Sequence, residues 1–160
     1  MCPLDSNWTM RAGVISDTHG LLRPEAIVAM RGFDHILHAG DIGDPAILDQ
    51  LRRLAPLTAI RGNIDRRGPC AQLPATEWIE LAGHKFYMVH DINELDLNPV
   101  AAGIAAIISG HSHRPSIHWR QGVLYFNPGS AGPRRFKLPI SVGILEIENR
   151  GIDPRIVNIG

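Results

Sequence analysis

The sequence predicts an α/β domain in which two mixed β-sheets pack as a sandwich flanked by α-helices. Three observations carry this expectation. Over residues 11–63, short apolar runs alternate with stretches of helical period, and Gly, Asp and Asn turns separate them, the rhythm of parallel strand–helix units. From residue 76 onward the apolar runs come in pairs joined by short turns, the pattern of antiparallel hairpins. No linker, charge block or internal repeat divides the 160 residues, so a single core is expected.

The elements follow in order. Residues 1–10 read as a flexible tail and 11–160 as one domain. "RAGVIS" (11–16) is a buried strand ending at the turn "DTHGLLRPE". Pro24 opens a helix over 24–31, because proline fits the first helical turn. "DHILHAGD" (34–41) is a second strand and turn, followed by a helix over 45–54. "PLTAIRGN" (56–63) is a third strand and turn. Residues 76–91 form a hairpin turning at Ala82-Gly83-His84. A short helical piece over 98–102 leads into the strand "AAIISG" (105–110). Two more hairpins complete the chain, 116–129 with Gln121-Gly122 at its tip and 140–159 turning at Asn149-Arg150-Gly151.

Composition narrows the function classes. The apolar fraction is 44% and the charged fraction 20%, which excludes a disordered chain. Zero net charge argues against a long nucleic-acid footprint or an anionic membrane as partner. No apolar run approaches the ~20 residues of a membrane span. Cys2 and Cys70 are the only cysteines, too few for a disulfide framework and without metal-binding neighbours, which suits a reducing compartment. With no basic segment leading into an apolar one at the N-terminus, the cytoplasm is the expected location, and the sequon Asn7-Trp8-Thr9 is read as chance. Arg134, Arg135 and Lys137 form a short basic patch, read as a solvated loop. A homo-oligomer stays open.

The chemistry lies just after the apolar runs. Asp17 and His19 follow the first, Gly40-Asp41 the second, and Gly62-Asn63 the third; His90 and Asp91 follow the run at 85–89, and Gly110, His111 and His113 the run at 105–109. Ligands gather at strand carboxyl ends in open α/β sheets, so these groups are expected to converge. A glycine before the polar residue permits a sharp turn and keeps the approach open. Oxygen and nitrogen donors without thiolate suit Mn²⁺, Ni²⁺, Fe or Zn²⁺, with Mn²⁺ first. Seven candidate ligands exceed one such ion and suit two ions sharing a carboxylate, an arrangement that clamps a phosphoryl group and generates hydroxide. Each short motif alone is an ordinary turn; their order and placement together point to a metal site.

The ordered set D-x-H, G-D, G-N, H and G-H-x-H resembles the calcineurin-like metallophosphoesterase superfamily over residues 11 to about 147. "GNID" and "NPGS" (127–130) are similar to its small single-domain phosphodiesterase branch. The resemblance implies a pair of mixed sheets flanked by helices. It implies that Asp17, His19 and His113 hold a first metal, that Asp41 bridges, and that Asn63, His90 and His111 hold a second. It further implies hydrolysis of a small phosphodiester or nucleotide-like substrate by a hydroxide bridging two divalent ions, with Asn63, Asp41 and His90 positioning ions and phosphate.

Two positions depart from the family pattern. Ile64 stands where many relatives carry a histidine that aids the leaving group. Asp91 stands where glycine is usual; it would hold a ligand histidine or act on an anionic substrate. Arg114, directly after the last ligand, is a candidate phosphate contact, and Asp91 and Arg114 are the candidate substrate contacts. Asp65, at an acidic position of the family, and His38, three residues before Asp41, are candidates for orienting the ligands. His35, His84 and His118 read as strand or turn residues, and "NPGS" as a rigid turn supporting the metal loops. Alternative readings are a non-catalytic protein-interaction scaffold of the same fold, as in the small retromer subunit, and a phosphomonoesterase or nuclease.

Overall fold

The computed structural model describes residues 9–160. Most of the anticipated tail, with Cys2 and Asn7, lies outside the described residues. The first strand begins one residue earlier than the pattern suggests, at Met10. Two five-stranded mixed sheets form, as the sequence predicts.

The first sheet has three parallel strands, β1 (Met10–Ile15), β2 (His35–His38) and β3 (Leu57–Ala59). Helices α1 (Pro24–Ala29) and α2 (Pro45–Arg52) make their crossovers. Each helix starts with proline at its first position, where a missing N–H costs nothing. Asp44 caps α2 by accepting from the Ala46 N–H at 2.9 Å, which satisfies one orphan donor of the first turn.

The second sheet contains β4 (Thr76–Leu81), β5 (His84–Val89), β6 (Ala106–Ile108), β7 (Ser116–Arg120) and β8 (Val123–Asn127) in the order β4-β5-β6-β8-β7. The last hairpin, β9 (Ser141–Glu148) and β10 (Gly151–Asn158), returns to the first sheet, whose order is β10-β9-β1-β2-β3. Pro154 is confined to the edge strand β10, where a missing ladder donor is tolerated.

Strand alternation sets the layers. Ala12, Val14 and Leu37 face Phe86, Met88, Ile108 and Phe126 between the sheets. Ile15 and Ile36 face the opposite way, onto Ala26, Met30, Ile47 and Leu51 of the helices. Both helices therefore cover the first sheet. The outer face of the second sheet is covered instead by residues 92–104, through Leu95, Leu97, Ala102 and Ile104 on Tyr87 and Ile107. The helical piece expected at 98–102 is here a single turn, closed by Ala102 N–H to the Asn98 carbonyl at 3.0 Å. The Asn98 side chain caps this turn by accepting from the N–H groups of Val100 and Ala101, and Gly103, at φ 71°, ends it. Short 3₁₀ turns at Pro69–Gln72 and Ile92–Glu94 are not legible in the pattern. Among the described residues no helix is long and apolar enough to cross a membrane.

The topology puts the carboxyl ends of β1, β2 and β3 at the same edge as those of β5 and β6. The turns that follow are stitched together by backbone bonds: Asp17 N–H to Gly40 O at 3.0 Å, His19 N–H to Asp41 O at 2.9 Å, and Gly110 N–H to His90 O at 2.9 Å.

Candidate metal centre

Five of the candidate residues occupy the left-handed backbone region: Asp17 (φ 55°), His19 (47°), Asp41 (57°), His111 (69°) and His113 (62°). Among the described residues the other non-glycine residues with positive φ are Ala82, Gln121 and Phe136. Each such residue costs about 1–3 kcal/mol, a strain that clusters where side chains must be aimed for function. Asp and His tolerate it better than most, so the residue types suit both the turn and the chemistry.

Two glycines are required for clearance rather than for turning. A Cβ on Gly62 would fall on the Asp41 carboxylate and backbone N, and one on Gly110 would fall on the Ser16 hydroxyl and 2.6 Å from Asp17 Oδ2. Neither glycine has positive φ. Gly110 therefore does not serve the sharp turn that the sequence suggests; its role is to admit the Asp17 carboxylate, which follows β1 of the other sheet.

The side chains gather in two groups. Asp17, His19 and His113 bring one donor atom each within 4.8 Å of one another, and so do Asp41, His90 and His111. The groups interdigitate. His19 Nε2 lies 3.7 Å from Asp17 Oδ1 and 3.4 Å from Asp41 Oδ2, and His90 Nε2 lies 3.8 and 3.2 Å from the same two atoms. His113 Nε2 stands 3.4 Å from Asp17 Oδ1. Asn63 joins through its amide oxygen, 3.2 Å from His111 Nδ1.

This arrangement fits a divalent cation. Asp17 Oδ1, His19 Nε2 and His113 Nδ1 are buried without a hydrogen-bond partner, which is costly for polar atoms unless something else satisfies them. Apart from His90 with Asp41 at 3.2 Å, the carboxylate–imidazole spacings of 3.4–3.8 Å are longer than good hydrogen bonds and suit neighbouring ligands at roughly 2.0–2.2 Å from a shared ion. The Asn63 oxygen faces acceptors only, and turned over the amide donates Nδ2 to Asp41, His90 and His111 at 3.2–3.3 Å. A cation favours the first orientation and an amide donor the second. The donor set of carboxylate, imidazole and amide oxygen, without thiolate, selects a hard to borderline divalent ion.

The electrostatics follow from burial and mutual pairing. Burial works to raise the Asp17 carboxyl, yet His113, His19, the Ser16 hydroxyl and the charge of His90 hold it far below the usual carboxylate range. Asp41 is likewise lowered, burial being outweighed by His90 and the Ile64 N–H. Burial disfavours the His90 cation, but Asp41 and Asp17 push it up to about 9. His90 donates Nδ1–H to the Ala39 carbonyl at 2.7 Å, so Nε2 is the nitrogen presented to the carboxylates.

His38 and Asp65 touch no ligand side chain; they tie the ligand turns together. Gly40 N–H donates to His38 Nδ1 at 3.1 Å, so Nε2 carries the proton and donates to Thr18 Oγ1 at 3.0 Å. Thr18 in turn donates to the Ile42 carbonyl at 2.9 Å. Every atom is satisfied by neutral imidazole, and burial lowers His38 to about 4. The Asp65 carboxylate accepts from the N–H groups of Ile42, Gly43 and Gly62 at 2.8–3.2 Å, joining the Asp41 and Asn63 turns. Asn127 Nδ2 donates to the Gly110 carbonyl at 2.8 Å and to Ser112 Oγ, and Ser130 Oγ donates to the Asp17 carbonyl at 2.9 Å. "NPGS" is thus the buttress behind both outer turns.

Asp91 Oδ2 stands 3.7 Å from His111 Nε2, on the ring edge opposite Asn63, and its Oδ1 caps the turn at Asn93. It borders a cavity of about 320 Å³ that opens beside Asn63, His90 and His111 and includes Arg61, Glu94 and Asp96. Glu94 and Asp96 escape a reading of the sequence, because their approach depends on how residues 92–104 fold over the second sheet. Arg114 is exposed and lines a separate groove. His35 bonds Thr58, His84 bonds the Glu148 carbonyl and His118 stacks near Tyr125, all outside the centre.

Comparison with known proteins places these features in a family. Residues 10–150 match the model of the calcineurin-like phosphoesterase superfamily domain. A protein of Methanothermobacter thermautotrophicus described as a "Probable metallophosphoesterase" is 35% identical, with 94% of each chain covered. A crystal structure of a predicted phosphoesterase from Streptococcus pneumoniae superposes with a TM-score of 0.75 at 25% identity, covering 94% of this chain and 90% of that one. A single mutant of Vps29 from Entamoeba histolytica superposes with a TM-score of 0.71 at 21% identity, covering 94% of this chain and all of that one. That last likeness is one of fold alone.

Proposed function

The chain belongs to the calcineurin-like phosphoesterase superfamily, and on that premise we propose that it hydrolyses a small phosphate diester at a centre holding two divalent ions, Mn²⁺ first among them. Asp17, His19 and His113 would hold one ion and Asn63, His90 and His111 the other, with Asp41 between them. Such ions supply Lewis-acid stabilisation of the phosphate and an activated water as nucleophile. The protein aims the ligands: the left-handed turns direct the side chains inward, and His90 is locked by Ala39 through Nδ1. Asn63 would join His111 in holding the second ion through its amide oxygen.

The observation that carries the diester reading is the wall beside the centre. Asp91, Glu94 and Asp96 share the adjoining cavity with Arg61 as the sole basic residue besides the ligand histidines, and Arg61 donates Nη1 to the Leu73 carbonyl at 2.7 Å. A doubly charged monoester meets more repulsion there than a singly charged diester. The Ile64 side chain, partly exposed, cannot protonate a departing alkoxide. Esters with acidic leaving groups are therefore the favoured substrates, since they need no proton donor. Full retention of the ligand-type residues supports this reading over a non-catalytic scaffold.

The test is metal content by mass spectrometry together with hydrolysis of bis(p-nitrophenyl) phosphate and of alkyl monoesters, for wild type and Asp41→Ala. Metal-dependent turnover faster on the aryl diester, with metal and activity both lost in the variant, is expected. Retention of metal and activity by Asp41→Ala, or equal turnover of alkyl monoesters, overturns the proposal.

A further inference from the structure

Phe136 is 93% exposed, and its backbone sits at φ 53°. A bulky aromatic in the left-handed region is a genuine outlier, and no apolar cluster of the described fold includes it. Leu138 N–H to Arg135 O at 3.1 Å closes the turn that carries Phe136 and Lys137 at its tip, and Arg134 Nη1 pins it to the Leu138 carbonyl at 3.2 Å. Folding therefore holds the ring in water rather than burying it, at a strained backbone position, and leaves its face open.

The turn is fastened to the metal-site loops at both flanks. Arg23 Nε donates to the Gly132 carbonyl at 3.2 Å, Gly132 N–H to Ser130 Oγ at 3.3 Å, and Ser130 Oγ to the Asp17 carbonyl at 2.9 Å. On the other flank Ser141 N–H donates to the Ser130 carbonyl at 3.0 Å, and Arg114 of the facing segment follows His113 directly in the chain. Arg114, Phe136, Lys137 and Leu138 line one groove of about 560 Å³. Its lining holds two cations, one aromatic face and no carboxylate, the reverse of the wall formed by Asp91, Glu94 and Asp96.

Resting on the diester reading above, we propose that this groove is a nucleotidyl subsite. It takes the ester substituent that stays on phosphorus: an aromatic base stacks on Phe136, and a further phosphate of that nucleoside meets Arg114 and Lys137. Stacking of a base on an aromatic side chain is tolerant of base identity, and a guanidinium and an ammonium both bind phosphate. The opposed charge of the two walls orients the substrate, with its anionic nucleoside on the Arg114 side and its leaving group toward Asp91.

Two measurements test this. Calorimetry reads binding of thymidine 3′,5′-bisphosphate to the metal-free protein, and Phe136→Ala is expected to weaken it roughly tenfold, within the range of loss of one base stack. With Mn²⁺ added, kcat/KM is compared for the p-nitrophenyl diesters of methanol, of thymidine through its 5′ oxygen, and of thymidine 3′-phosphate likewise. The thymidine-to-methyl ratio is expected to fall roughly tenfold in Phe136→Ala, and the gain from the 3′-phosphate to fall severalfold in Lys137→Gln. Ratios and binding unchanged in both variants overturn the subsite. Phe136-dependent binding without hydrolysis of any diester upholds the subsite and overturns the diester reading instead. Hydrolysis of the methyl ester with no nucleoside preference overturns the subsite alone.

Discussion

Asp17 Oδ2 accepts the His111 backbone N–H at 3.0 Å, while Oδ1 of the same carboxylate is buried without a hydrogen-bond partner. One oxygen thus sets the turn that carries His111 and His113, and the other is left for an ion. Asp17→Asn keeps an acceptor for the turn but removes the charge. Its metal affinity is expected to fall by more than the ~10–100-fold that accompanies loss of an outer support. Metal titration followed by calorimetry checks this, and circular dichroism should show the fold retained.

Gly62→Ala tests clearance. The new methyl would overlap the Asp41 carboxylate, so Asp41 or the turn must move. Metal content should drop with little change in far-UV circular dichroism. Metal binding by Gly62→Ala equal to that of wild type would refute the need for clearance at this position.

His90 makes a pH prediction for the metal-free protein. Its pKa is pushed up to about 9 in the fold, against about 6.5 unfolded. A group whose folded pKa is raised contributes stability that is fully present below the unfolded value. That stability is lost as pH rises through the folded value. The melting temperature of metal-free wild type should therefore fall between about pH 6.5 and 9 relative to His90→Gln. Metal binding must also displace this proton, so calorimetry at about pH 7.5 in buffers of different ionisation enthalpy should report proton release that His90→Gln diminishes.

Thr18→Val removes the acceptor of His38 Nε2–H in a fully buried site. An unsatisfied buried donor costs about 1–3 kcal/mol, so the melting temperature should fall by several degrees. Metal affinity should weaken too, because the same threonine ties the Asp17 and Asp41 turns through Ile42. Thr18→Ser, which keeps the hydroxyl, should restore most of both.

The two-sheet architecture and its three hairpin tips are legible in the sequence because strand period and turn chemistry are local. Ala82-Gly83 and Gln121-Gly122 carry the positive φ that two-residue hairpins need. The helix anticipated at 98–102 is cut to one turn for a local reason of another kind: Asn98 caps its start, and Gly103, at φ 71°, ends it directly afterwards. The covering of the second sheet by a loop rather than a helix is not legible, since an apolar residue such as Leu97 or Ile104 looks the same under either cover.

The candidate site divides in the same way. Residue type and position after each apolar run are properties of the chain alone, and they pick out Asp17, His19, Asp41, Asn63, His90, His111 and His113. Tertiary structure decided everything that joins residues far apart in the chain. It paired Asp17 with His111, put the Asp65 carboxylate on the Ile42 and Gly43 amides, and brought Glu94 and Asp96 to the cavity wall. It also turned Arg114 away from that wall, toward Phe136. Strand pairing fixes which turns meet, and the clearance at Gly62 and Gly110 lets them meet closely enough for separate carboxylates to share one centre.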